Sequence, residues 1–91
     1  MNNMSKSSRE IKRVEVRAPM SGVFYSRPNP DSAPYVELGD PVKKKQVLGL
    51  LETMKVFQKL KASANGKIVE ILVDNESTVK DNEVVFVIET G

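Results

Sequence analysis

The sequence predicts an all-β domain, a sandwich or barrel made from two copies of one motif. An internal repeat is the first of three observations behind this. Val36–Thr53 (VELGDPVKKKQVLGLLET) and Val73–Thr90 (VDNESTVKDNEVVFVIET) align at a shift of 37 residues, with Val36, Val42, Lys43, Val47, Glu52 and Thr53 repeated identically. The start of each copy aligns at a shift of 44, placing Val16-Arg17-Ala18 and Gly22 on Leu60-Lys61-Ala62 and Gly66. Repeated sequence implies repeated supersecondary structure. Secondly, short runs rich in β-branched residues alternate with turn residues, the pattern of a chain of short strands. Thirdly, the one stretch with a helical option is overruled by its own copy.

Taken in order, Val14–Arg17 alternates apolar and polar residues and reads as a strand. Ala18-Pro19-Met20-Ser21-Gly22 reads as a turn, and Gly22–Ser26 as a second strand. Gly39-Asp40-Pro41 turns again, and Val47–Thr53 is an apolar run ending in a polar pair. Leu50–Ala62 contains neither Gly nor Pro, and Leu50, Leu51, Met54, Phe57 and Lys61 fit a helical face. Yet Leu50–Thr53 copies Val87–Thr90, which is strand-like, and Gln58–Lys61 copies Val14–Arg17. A strand therefore ends near Thr53 and another begins near Val56, leaving Met54-Lys55 as the connection. Lys67–Val73 and Val84–Glu89 complete the second copy.

Two mismatches and one insertion break the repeat. Gly49 faces Phe86 and Leu38 faces Asn75. Nine residues, Arg27–Tyr35 (RPNPDSAPY), separate Ser26 from Val36, where the second copy has only Ile71 and Leu72. The insertion's prolines at 28, 30 and 34 predict a stiff excursion, either a tolerated surface loop or a flap near the hairpin.

The composition removes whole classes of chemistry. The 91 residues contain no cysteine and no histidine. Disulfides, thiolate nucleophiles, His-based triads and most zinc sites are excluded. We expect no metal. The chain lacks an apolar run of membrane-spanning length and a secretory core at its start, and a cytoplasmic location is expected. Net charge is +2, but residues 1–13 hold +3 through Lys6, Arg9, Lys12 and Arg13 against Glu10. This basic, Ser/Asn-rich stretch is expected to be a disordered lead-in to a domain over 14–91. The rest sums to −1, which argues against nucleic acid as a partner.

Met54-Lys55 is an unusual hairpin connection. Two-residue hairpin loops favour primed turns with positive φ, and so favour Asn-Gly or Asp-Gly. A turn that breaks this rule without structural gain suggests that function sets its residues. An ordinary lysine has a pKa near 10.4, so only about one in a thousand is unprotonated near neutrality. A protruding turn offers no desolvating pocket to change that. The economical reading is a handle: another enzyme acylates Lys55, and the attached group travels between other active sites. An arbitrary lysine in a turn would read as a plain solvated one; its place at the seam of the repeat sets Lys55 apart.

These residues resemble a known family. Glu52-Thr53-Met54-Lys55-Val56 is similar to the biotin-attachment motif, usually Glu-Ala-Met-Lys-Met. Ala18-Pro19-Met20-Ser21-Gly22-Val23-Phe24-Tyr25 resembles the opening of the biotinyl domains of biotin carboxyl carrier proteins, and Arg27–Tyr35 their thumb. The resemblance covers Val14–Glu89. It implies a flattened β-sandwich (barrel-sandwich hybrid) of two four-stranded antiparallel sheets with quasi-two-fold symmetry. It implies covalent biotin on Lys55, attached by a biotin protein ligase that reads Glu52, Thr53, Met54 and Val56. Pro28, Pro30, Asp31, Ala33 and Pro34 of the thumb would touch the biotin. A biotin carboxylase and a carboxyltransferase would be the further partners, in acetyl-CoA carboxylase and so in fatty acid synthesis. The chain would be a carrier with no catalytic residues and no membrane partner. Thr53, and Val56-Phe57-Gln58 in place of Met-Met-Asn, depart from the pattern. The same fold carries lipoyl domains, whose Glu-Thr-Asp-Lys-Ala pattern Glu52-Thr53-x-Lys55 partly fits. Met54, Val56 and the thumb favour biotin. An unmodified interaction module of the same fold is the remaining alternative.

Overall fold

The structure, a computed structural model, describes residues 11–91. Eight strands follow in order: β1 (Lys12–Arg17), β2 (Gly22–Tyr25), β3 (Pro41–Val42), β4 (Val47–Thr53), β5 (Val56–Lys61), β6 (Gly66–Ile71), β7 (Ser77–Val79) and β8 (Val84–Thr90). They form two four-stranded sheets, ordered β1-β8-β6-β3 and β5-β4-β2-β7, with every pairing antiparallel. β1 begins at Lys12, two residues inside the stretch expected as a tail, because Lys12 and Arg13 pair with Thr90 and Glu89. Of the rest of that expected tail, Ile11 is exposed and precedes the strand, and residues 1–10 lie outside the described residues.

The repeat becomes a quasi-two-fold axis. β1 through β4 correspond to β5 through β8, and the strand order of one sheet maps onto that of the other. The correspondence extends to single hydrogen bonds. The Lys45 N–H donates to the Ala62 carbonyl (2.8 Å), and the Asn82 N–H to that of Ala18 (2.7 Å). The Lys43 N–H donates to the Gln46 side chain and the Lys80 N–H to that of Glu83. Lys44 and Asp81 likewise donate to Asn65 and Ser21 side chains. Lys45 and Asn82 both hold positive φ, 76° and 72°. Gly39 and its counterpart Glu76 do so as well, and their N–H groups donate to the carbonyls of Ile68 and Phe24.

The core lies between the sheets. Phe24, Leu48, Leu51, Ile68, Val79, Val85, Phe86 and Ile88 are fully buried. Among the described residues no polar or charged residue is buried. The Gly49/Phe86 mismatch follows from packing. A Cβ on Gly49 would sit 2.5 Å from the Phe24 ring, so glycine clears space for that ring. In the other copy the large ring moves to Phe86, and Ile68 takes the place of Phe24. The two rings meet edge-on across the axis with centroids 5.8 Å apart. Each half supplies one phenyl ring to the core, and the Phe24 ring leaves no room for a side chain at 49.

Candidate functional site

Leu50–Ala62 is not a helix; it is the β4–β5 hairpin, as the repeat implied. Thr53 pairs with Val56, leaving Met54 and Lys55 as a two-residue loop. Both adopt positive φ, 51° and 66°, the signature of a type I′ turn. Neither residue is suited to that region, which costs a side chain of this kind about 1–2 kcal/mol. The twist of the flanking strands imposes the turn, and the sequence does not relax it with Asn-Gly. Met54 is 92 % exposed and Lys55 is exposed, so the amine stands clear of the sandwich. Under the quasi-two-fold, the counterpart of this tip is the pairing of Lys12 with Thr90, where β1 starts and β8 ends.

Glu52 and Thr53 are half-buried at the end of β4, and Val56 is exposed. The Tyr25 hydroxyl donates to Glu52 Oε1 at 2.9 Å. That bond, followed by desolvation and the Glu52 charge, raises the Tyr25 pKa above 10.0. Tyr25 also packs on Phe57, ring centroids 5.9 Å apart. The outer face of β5-β4-β2 beside the hairpin is thus an ordered cluster of Glu52, Tyr25 and Phe57. The glycine at 22 lets β2 approach β4, since a Cβ there would meet the Glu52 carbonyl at 2.5 Å.

Residues 27–35 form a closed flap over this face. The Tyr35 N–H donates to the Ser26 carbonyl (2.9 Å) and cinches its base. Asn29 accepts from the N–H groups of Asp31 and Ser32 and builds the tip. The Ser26 N–H donates to Asn75 Oδ1, which explains why Asn75 stands opposite Leu38 in the repeat. Leu38, on the side without a flap, is 66 % exposed and holds nothing.

Between flap and sheet lies an open groove of about 200 Å³, lined by Tyr25, Arg27, Pro28, Asn29, Pro30, Leu50, Phe57, Asn75 and Glu76. Arg27 Nε there has no hydrogen-bond partner. Of the flap positions expected to matter, Pro28 and Pro30 line the groove, whereas Asp31, Ala33 and Pro34 do not. Tyr25, Arg27, Asn29, Leu50, Phe57, Asn75 and Glu76 were not foreseen as groove residues. The mismatch at Asn75 was the one sequence signal available. Among the described residues no group of His, Cys, Asp or Glu could hold a metal ion, and no helix is long and apolar enough to cross a membrane.

A two-sheet sandwich that projects a single lysine from a tight hairpin at the seam of its repeat is an attachment-domain architecture. The family described as "Biotin-requiring enzyme" matches residues 14–88, and the chain belongs to that family. It is 39 % identical over 72 residues to the biotin carboxyl carrier protein of acetyl-CoA carboxylase from a Nostoc species, covering 79 % of this chain and 40 % of that one. Its counterpart from Streptococcus pyogenes is 45 % identical over 65 residues, covering 71 % and 39 %. That from Pseudomonas aeruginosa is 41 % identical over 73 residues, covering 80 % and 47 %. The chain therefore spans less than half the length of these relatives. In structure it resembles the urea carboxylase of Kluyveromyces lactis, with a TM-score of 0.71 and 25 % identity over 85 % of this chain and 6 % of that one.

Proposed function

We propose that the chain is a biotin carboxyl carrier, with residues 14–91 as its biotinyl domain, residues 27–35 as its thumb, and biotin held covalently on Lys55. The observation that carries this is the exposed lysine on the type I′ turn, in a chain that belongs to the biotin-requiring family. A biotin protein ligase would activate the biotin carboxylate with ATP as an acyl-adenylate, releasing diphosphate, and pass the acyl group to Lys55 Nζ with loss of AMP and a proton. Met54 and Val56, both exposed beside that amine, and Glu52 and Thr53 just behind them would be read by the ligase.

The residues present fit the group. Lys55 offers an unobstructed amine, and the flap groove offers apolar walls from Leu50, Phe57, Pro28 and Pro30 with polar ends from Asn29, Asn75 and Arg27. Biotin, when attached, supplies a ureido nitrogen that takes up and gives back a carboxyl group. The chain's own part is mechanical. The hairpin holds the attachment point on a rigid sheet, and the flap gives a place beside it that narrows access to water. Asp31, Ala33 and Pro34 would act by stiffening the flap.

By its relatives, the partners would be a biotin carboxylase and a carboxyltransferase of acetyl-CoA carboxylase, placing the chain in fatty acid synthesis in the cytoplasm. Chemistry would reside in those partners, the chain itself being a carrier. The test is to load the chain with biotin ligase and present it to a biotin carboxylase with ATP and labelled bicarbonate. Label on the loaded chain, absent from Lys55→Arg, is expected. When lipoate and biotin ligases compete for the same sample, a lipoyl mass on Lys55 would overturn the reading.

A further inference from the structure

Net charge conceals how charge is arranged on this molecule. Residues 14–91 sum to −1, yet Lys43, Lys44, Lys45, Lys59 and Lys61 share one region, which leaves the remainder at −6. Lys59 and Lys61 flank buried Leu60 on edge strand β5 and so both point outward. The turn carrying Lys43–Lys45 closes on the end of that strand. Lys45 donates to the Ala62 carbonyl, Ala62 to that of Gln46, and Val47 pairs with Lys61. Among the described residues the only two ion pairs are Arg13–Glu70 and Arg17–Glu15, so none of the five lysines has a carboxylate partner.

The quasi-two-fold supplies an internal control. The counterparts of the five lysines are Lys80, Asp81, Asn82, Glu15 and Arg17, on the same backbone with the same turn hydrogen bonds. Those five sum to zero, against +5 here. Folding therefore does not demand the lysines. Protection of an exposed edge from strand pairing would account for Lys59 and Lys61. It does not account for the turn, which presents no free edge, or for the balanced Glu15 and Arg17 on edge strand β1.

We propose that this lysine face docks a carboxylate-rich protein surface on the enzyme that acylates Lys55. The inference rests on the carrier reading above. The lysine amine stands on the order of 6 Å from its own backbone on a four-carbon stem, so an enzyme acting at Nζ must cover the hairpin and the strands leading to it. Lys59 and Lys61 lie about 13 and 20 Å along β5 from Lys55 at about 3.3 Å per residue, within such a footprint. Enzymes that meet only the end of the attached arm stand farther off. Cations on the rim of a contact chiefly raise the rate of encounter, and salt screens them.

The test is the kcat/KM for biotin loading by the ligase encoded in the same genome, at about 25 mM and about 300 mM salt, which straddle a Debye length of about 10 Å. The variant Lys43→Gln/Lys44→Gln/Lys45→Asn/Lys59→Gln/Lys61→Gln should load roughly 10-fold more slowly at low salt and converge with the parent at high salt. Arg17→Gln/Lys80→Gln, which removes the counterpart cations, should stay within about 2-fold at either salt. Replacing all five lysines by arginine should keep the parent rate, which separates charge from any folding defect. The proposal is overturned if the neutralised variant follows the parent's rate and salt slope. It is also overturned if its one loss is binding to phosphatidylglycerol vesicles or single-stranded DNA. Failure of the parent to load at any salt removes the carrier reading itself, and this inference with it.

Discussion

Met54 and Lys55 hold a backbone conformation that their side chains disfavour, because the β4 and β5 strands leave only two residues to reverse direction. Met54→Asn should relieve part of this and stabilise the fold by about 0.5–1 kcal/mol, seen as a rise in Tm, while slowing biotin loading. The residue type was legible as a broken turn rule; the positive φ at both positions follows from strand pairing, which local sequence does not encode. Tyr25 is a second case. Its hydroxyl donates to Glu52, and its pKa is raised by that bond first. The fold thus favours the protonated phenol. Its contribution is fully present below pH 10 and is lost as pH rises through the higher folded-state value. Ultraviolet titration should show Tyr25 ionising later in the native chain than after unfolding, and Glu52→Gln, which removes the carboxylate charge but leaves an amide acceptor, should shorten that delay. Neither partner is near the other in sequence, so the contact was not readable from the chain.

At the scale of elements, the repeat decided between helix and strand for Leu50–Ala62 where local pattern could not. The same comparison makes quantitative expectations possible. Gly49→Ala would drive a methyl into the Phe24 ring and against the Tyr25 carbonyl, 3.0 Å away, and should cost about 1–3 kcal/mol in denaturant melts. Lys45→Asn copies the residue that the other half places at the same positive φ, and should raise stability by about 0.5–1 kcal/mol. The flap was visible as an insertion stiffened by three prolines. Its groove was not, since Leu50, Phe57, Asn75 and Glu76 reach it from three other parts of the chain. The repeat held two hints in its mismatches. One, Gly49 with Phe86, marks core packing; the other, Leu38 with Asn75, marks the anchor of the flap.

For the whole molecule, the quasi-two-fold places one hairpin tip at one pole and the start of β1 with the end of β8 at the other. An attached group on Lys55 would therefore operate away from the strand ends. The two copies share a backbone but have diverged in charge, ring placement and the flap. The net charge of −1 over residues 14–91 hides a local concentration of lysine, which the backbone contacts of Lys45 and Gln46 with Ala62, at the end of β5, bring together.

The central claim is that Lys55 alone is the attachment point. Peptide mapping by mass spectrometry after loading with biotin ligase tests it most directly. One biotinyl group on the peptide containing Lys55, and none on Lys55→Arg, is the expected result. Biotin distributed over Lys43, Lys59 or Lys61, or retained by Lys55→Arg, would contradict it.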